Sequence, residues 1–121
     1  MANKMIQSEK VFDGVEVSAG SSETSDAVKL QSKEGYFSIQ EEITGDGTVK
    51  LEYLVSIDGE NFLEPSEASD IATGQTKTSG PGSDGKDIIS FEPVLSPWIK
   101  IKATETVSSN SVTATVYLGV Q

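Results

Sequence analysis

Few side chains in this 121-residue chain have the type and spacing for chemistry. Serine and threonine are abundant, but a hydroxyl nucleophile needs a neighbouring base. The sequence holds no histidine and no cysteine, and no Ser-x-x-Lys element falls in a helical setting. Glu41 and Glu42 invite comparison with a glycosidase carboxylate pair. Consecutive strand residues point to opposite faces, however, so these two cannot meet by themselves. In Gly82-Ser83-Asp84-Gly85-Lys86-Asp87 two carboxylates stand three apart, and calcium is bound by clusters of such oxygens. The array is sparse and Lys86 puts a positive charge beside it, which points to a solvated loop. No catalytic residue, metal or cofactor is expected.

The charge census narrows the partners. There are 19 acidic residues against 9 basic ones, a net charge of −10, and every basic residue is lysine. Without arginine the bidentate fork for phosphate and guanine is missing. An acidic domain should be repelled by nucleic acid, which is bound by neutralising its phosphates. Without cysteine there is neither a disulfide frame nor a zinc–sulfur site. No apolar stretch approaches the roughly 20 residues of a membrane span. The N-terminus shows no long apolar core of a secretory signal, so synthesis in the cytoplasm is expected. Two readings of the charge stand side by side: a solvated surface, or a face suited to a basic partner.

The elements that position these residues read as strands. Val49, Leu51, Tyr53, Val55 and Ile57 occupy every second position, with Lys50, Glu52 and Ser56 between them. That is the period of a half-buried strand, and Asp58-Gly59 supplies a reversal after it. Val11–Val17, with a turn or bulge at Asp13-Gly14, and Ala27–Gln31 read as short strands, separated by a polar loop over Ser18–Asp26. Tyr36–Ile43 reads as a strand with Phe37, Ile39 and Ile43 inward. Glu41 shares their phase, so an edge position or bulge is expected to return it to solvent, the alternative being a buried contact at a subunit interface. Ile88–Phe91, Trp98–Ala103 and Val112–Val120 complete the set. Pro93 and Pro97 make the piece between them a corner or an edge.

No segment has a persuasive helical period. The expected fold is an all-β antiparallel β-sandwich, jelly-roll or Ig-like, of seven to eight strands. Residues 1–10 read as an arm or short leading strand, and 11–121 as one domain with a long loop at 64–87 that holds at most a short strand near Ile71. Trp98 and Tyr36 are out of phase with the inward residues of their strands, and Leu54 lies on the polar face of its own. With Tyr117, and with Lys4, Met5 and Ile6 of the arm, they are the candidate interface residues, since such aromatics are enriched at contact hot spots. The arm and the 64–87 loop are the natural contact elements.

Several pieces form a longer pattern: Ser25-Asp26-Ala27-Val28, then Gly35-Tyr36-Phe37-Ser38-Ile39-Gln40, then Thr44-Gly45, then Ser56-Ile57-Asp58-Gly59-Glu60-Asn61-Phe62. The C-terminal Ser96-Pro97-Trp98 strand, polar turn and final alternating strand follow. This resembles small virion proteins of tailed bacteriophages and prophages. The resemblance implies a non-enzymatic structural role as a capsid decoration or cement protein, or a head–tail or tail subunit. Its partners would be other virion proteins, met in many copies on the particle, with no nucleic acid and no membrane involved. It brings no catalytic residue with it. The rival expectation is a carbohydrate-binding or adhesive module, with Trp98 and Tyr36 as a stacking platform for a glycan.

Overall fold

The computed structural model describes residues 6–31 and 34–121. Nine strands are formed there: β1 (Gln7–Val17), β2 (Ser22–Thr24), β3 (Val28–Lys29), β4 (Phe37–Gly45), β5 (Val49–Ser56), β6 (Ala72–Gln75), β7 (Lys86–Phe91), β8 (Trp98–Glu105) and β9 (Val112–Val120). One sheet has the order β1-β9-β4-β7 and the other β2-β8-β5-β6, with β3 also on β8. All of the pairings are antiparallel.

β2 and β3 lie along the same edge of β8, on Lys102–Thr104 and Trp98–Ile99. Ser25 bridges the gap between them. Its N–H donates to the Ile101 carbonyl at 2.8 Å, and its Oγ accepts the Ile101 N–H at 3.0 Å in place of a main-chain carbonyl. Counted as one interrupted strand, β2/β3 leaves eight strands in two four-stranded sheets. Consecutive strands largely alternate between the sheets, which is the jelly roll, an arrangement found in viral capsid and lectin domains.

The core is the facing side of both sheets. Ile39, Ile43, Val49, Leu51, Ile99, Ile101, Val112, Val116 and Leu118 are all fully buried. β8 and β9 show a strict alternation of buried and half-buried residues, the period that the sequence displays.

Three expectations are corrected and a fourth is narrowed. Of the two readings of residues 1–10, an arm or a short leading strand, the strand holds from Gln7, because β1 covers the edge of β9 from Gln7↔Val120 onward and satisfies main-chain groups that an arm would leave open. The loop over Ser18–Asp26 contains β2. Ile57 is 75% exposed, since β5 ends at Ser56 and the Asp58 turn redirects the chain before the alternation can continue. Glu41 is neither at an edge nor in a bulge. β4 lies between β9 and β7 in unbroken register, which fixes the side-chain alternation and holds Glu41 inward at 1% exposure.

Candidate interaction surfaces

The two ends of the sandwich are chemically unlike. At one end Glu105, itself buried, gathers three connections. Its Oε1 accepts the N–H groups of Gly20 (2.9 Å) and Ser108 (2.7 Å), and its Oε2 those of Thr48 (3.0 Å) and Val107 (3.0 Å). These donors hold its carboxyl down at about 2. Nearby, Lys77 Nζ meets Asp46 Oδ1 at 2.6 Å, tying the β6–β7 connection to the β4–β5 turn. This end is closed by polar bonds.

The opposite end is apolar and open. Leu95 is 89% exposed, and Leu63 and Val94 are exposed beside Ile57. Two adjoining grooves, of about 620 and 580 Å³, share Ile57, Val94, Leu95 and Ser96 as a common wall. Leu30, Phe37, Pro93 and Pro97 line the first, and Leu63 and Pro65 the second. The Val94 N–H donates to Tyr53 Oη at 3.1 Å, so the wall is fastened to the core. Asp58 builds the turn beside it: Oδ1 accepts Ser56 Oγ–H (2.8 Å) and the N–H groups of Glu60 and Asn61 (both 2.9 Å), and Oδ2 accepts Asn61 Nδ2 (2.8 Å). Those bonds hold the Asp58 carboxyl well below the usual carboxylate range.

The outer face of the β1-β9-β4-β7 sheet carries a transverse hollow. Ser8, Gly119, Ser38 and Ser90 are register partners across all four strands. Gly119, Ser38 and Ser90 border a hollow of about 560 Å³, with Ile6 and Tyr36 also lining it. The register places Tyr117, Gln40 and Ile88 side by side in a row beyond. Past them is a second hollow of about 420 Å³, bordered by Glu42, Lys86, Thr115 and Pro81. Tyr36 pairs with Gln121 through the main chain and Tyr117 with Gln40. The two tyrosines are therefore four residues apart along the strands, about 13 Å at the usual rise.

Trp98 and Leu54 belong to the other sheet. Leu54 is opposite Lys100 and Ser56 opposite Trp98. The Trp98 ring lies against Gly59, and the Lys29 ammonium stands 5.4 Å from its centroid. Trp98 and Tyr36 thus sit on opposite faces of the sandwich and make no common platform. Of the residues singled out from sequence, Ile6 and Tyr36 come together at one hollow, Tyr117 borders the next, Leu54 and Trp98 lie on the far sheet, and Lys4 and Met5 fall outside the described residues. The exposed set Ile57, Leu63, Val94 and Leu95 was missed. The signal that could have found it is Val94-Leu95 between two prolines that bar a central strand. Asp84 and Asp87 do not converge: Asp84 Oδ1 accepts the Lys86 N–H on an exposed turn, while Asp87 lies half-buried beside Glu41. Among the described residues no three carboxylates group as a metal site.

No protein-family model matches the chain, and no curated protein matches its sequence. Among solved structures it is similar to the VP2 subviral particle of infectious bursal disease virus, with a TM-score of 0.57 and 14% identity over 95% of this chain and 32% of that one. The Gx strain of the same virus gives 0.50 and 12%, over 95% and 31%. These neighbours are viral capsid proteins. The chain spans about a third of their length. At such identities the likeness is one of fold, and function must be argued from surfaces.

Proposed function

We propose that this chain is a non-enzymatic structural protein of a virus particle: a capsid decoration or cement protein, or a head–tail or tail subunit, of a tailed phage. The observation that supports it best is the jelly roll shared over 95% of the chain with a viral capsid protein. The motifs from Ser25 to Phe62 narrow the reading from virus to phage. The mechanism is adhesion. Each copy docks by a modest interface, and repetition on a symmetric lattice makes the attachment durable. The acidic body keeps neighbouring particles apart. Mass spectrometry of purified particles tests this, with immuno-electron microscopy to locate the protein. Multiple copies per particle are expected. A protein found only in the host's soluble fraction would refute the reading.

A second reading, a carbohydrate-binding module, is favoured by the hollow beside Tyr36. A sugar ring stacked on Tyr36 could reach the Ser38 and Ser90 hydroxyls. Titration with polysaccharides checks it: saturable binding lost in Tyr36→Ala would support this reading over the first.

A further inference from the structure

We propose that the apolar end docks a separate protein of basic character, one that seats aliphatic or aromatic side chains around Leu95 and Ile57 and surrounds them with lysine or arginine. The inference rests on the virion reading for where that partner is found, whereas its chemistry comes from the grooves. Exposed apolar residues are ordinary when scattered, but a contiguous set marks a contact site. Here Ile57, Leu63, Val94 and Leu95 are contiguous around two grooves. The wall is also set before binding. Pro93 and Pro97 restrict the backbone on either side, and Tyr53 holds Val94 from beneath, so little ordering entropy remains to be lost.

Charge selects the occupant. Glu92 lines one groove and Asp58 the other, and Glu60 and Glu64 are exposed on the flanking turn. No described lysine lines either groove. A second copy would bring the same acidic rim face to face, a like-charge arrangement that costs affinity. An anionic lipid surface meets the same repulsion. A glycan needs convergent polar groups, whereas these walls are mainly leucine, isoleucine, valine and proline. A basic, apolar-centred protein surface satisfies both the groove and its rim.

The test is an NMR titration of the full-length ¹⁵N-labelled chain with three synthetic peptides: alternating Lys-Leu, Lys-Ser and Glu-Leu. The Lys-Leu peptide should shift the amides of Ile57, Leu63 and Leu95 saturably. Its affinity should fall about tenfold or more in the doubly substituted Ile57→Ser/Leu95→Ser chain. The Glu92→Lys/Glu64→Lys chain should weaken it too, and added salt should lower it. Both pairs of positions are exposed, so unchanged melting temperatures serve as the folding control. Equal binding of Lys-Ser, equal binding of Glu-Leu, or shifts confined to other faces would overturn the proposal. So would self-association in sedimentation that Leu95→Ser abolishes, because the occupant would then be a second copy. Particle proteomics fails or succeeds independently, so loss of the virion reading and loss of this docking chemistry are told apart.

Discussion

Glu41 and Asp87 are cross-strand partners on the inward face of β4 and β7, and neither carboxylate oxygen of Glu41 has a hydrogen-bond partner. Burial raises the Glu41 carboxyl to about 7 from 4.5, and the charge of Asp87 adds to the rise. A buried acid of this kind costs stability when ionised and adds no polar bond in return.

The pH dependence follows from that sign. Below pH 4.5 Glu41 is protonated in both the folded and unfolded chain, and its ionisation costs nothing. As pH rises through 7 the folded chain loses a relative advantage of about 3 kcal/mol. Glu41→Gln should therefore stabilise the protein by up to about 3 kcal/mol at pH 8 and by little at pH 4. Urea denaturation at the two pH values checks it. An equal gain at both would show that ionisation is not the cause.

Glu105 has the opposite sign. Its folded value is depressed to about 2 from 4.5, so its contribution is fully present above pH 4.5 and is lost as pH falls towards 2. Glu105→Gln keeps the shape but turns one acceptor oxygen into an NH2 donor, so two of the four N–H bonds from three connections are lost and the other two lose their charged acceptor. The melting temperature should drop by several degrees at pH 7, with the gap to the parent narrowing near pH 3. Hydrogen exchange at Gly20, Thr48 and Ser108 should quicken together.

A side chain at Gly59 is strained and crowds the Trp98 indole. Its φ is +77°, and a Cβ there would come within 2.9 Å of Trp98 Nε1. Gly59→Ala should cost about 1–3 kcal/mol from left-handed strain, with added displacement of the indole. Denaturant midpoints and Trp98 fluorescence read the two effects, since this is the sole tryptophan.

Tyr53→Phe removes one hydrogen bond and retains the ring, which stands 6.0 Å from Phe91 between centroids. The loss should be about 1 kcal/mol, with faster amide exchange at Val94. In the peptide titration above, a looser wall should weaken binding without moving the site.

Much of the architecture is legible as alternation. Residues 49–55, 98–103 and 112–120 show the two-residue period, and all three runs became strands whose in-phase apolar residues, such as Leu51, Ile101 and Val116, point inward while Leu54, Trp98 and Tyr117 lie on the outer faces. Gly14 lies in an irregular stretch of β1, where its N–H donates to Thr115 Oγ1 at 3.0 Å, as the Asp13-Gly14 signal suggested. β2 was not legible. Ser-Glu-Thr has little apolar pattern, and it is held in the sheet by the edge of β8. Glu41 was misplaced for a related reason: a local pattern shows phase, but whether a strand is central or at an edge is decided by distant partners.

The sequence by itself determined an all-β, strongly acidic chain without histidine, arginine or cysteine, because composition and strand period are local properties. Only the tertiary structure decided that the two sheets form a jelly roll, that Trp98 and Tyr36 face opposite ways, and that Ile57, Leu63, Val94 and Leu95 meet at one end. Those outcomes depend on pairings between residues far apart in the chain, such as Gln7 with Val120 and Val49 with Glu105. Strand period carries no information about such pairings, and a surface exists only once they are made.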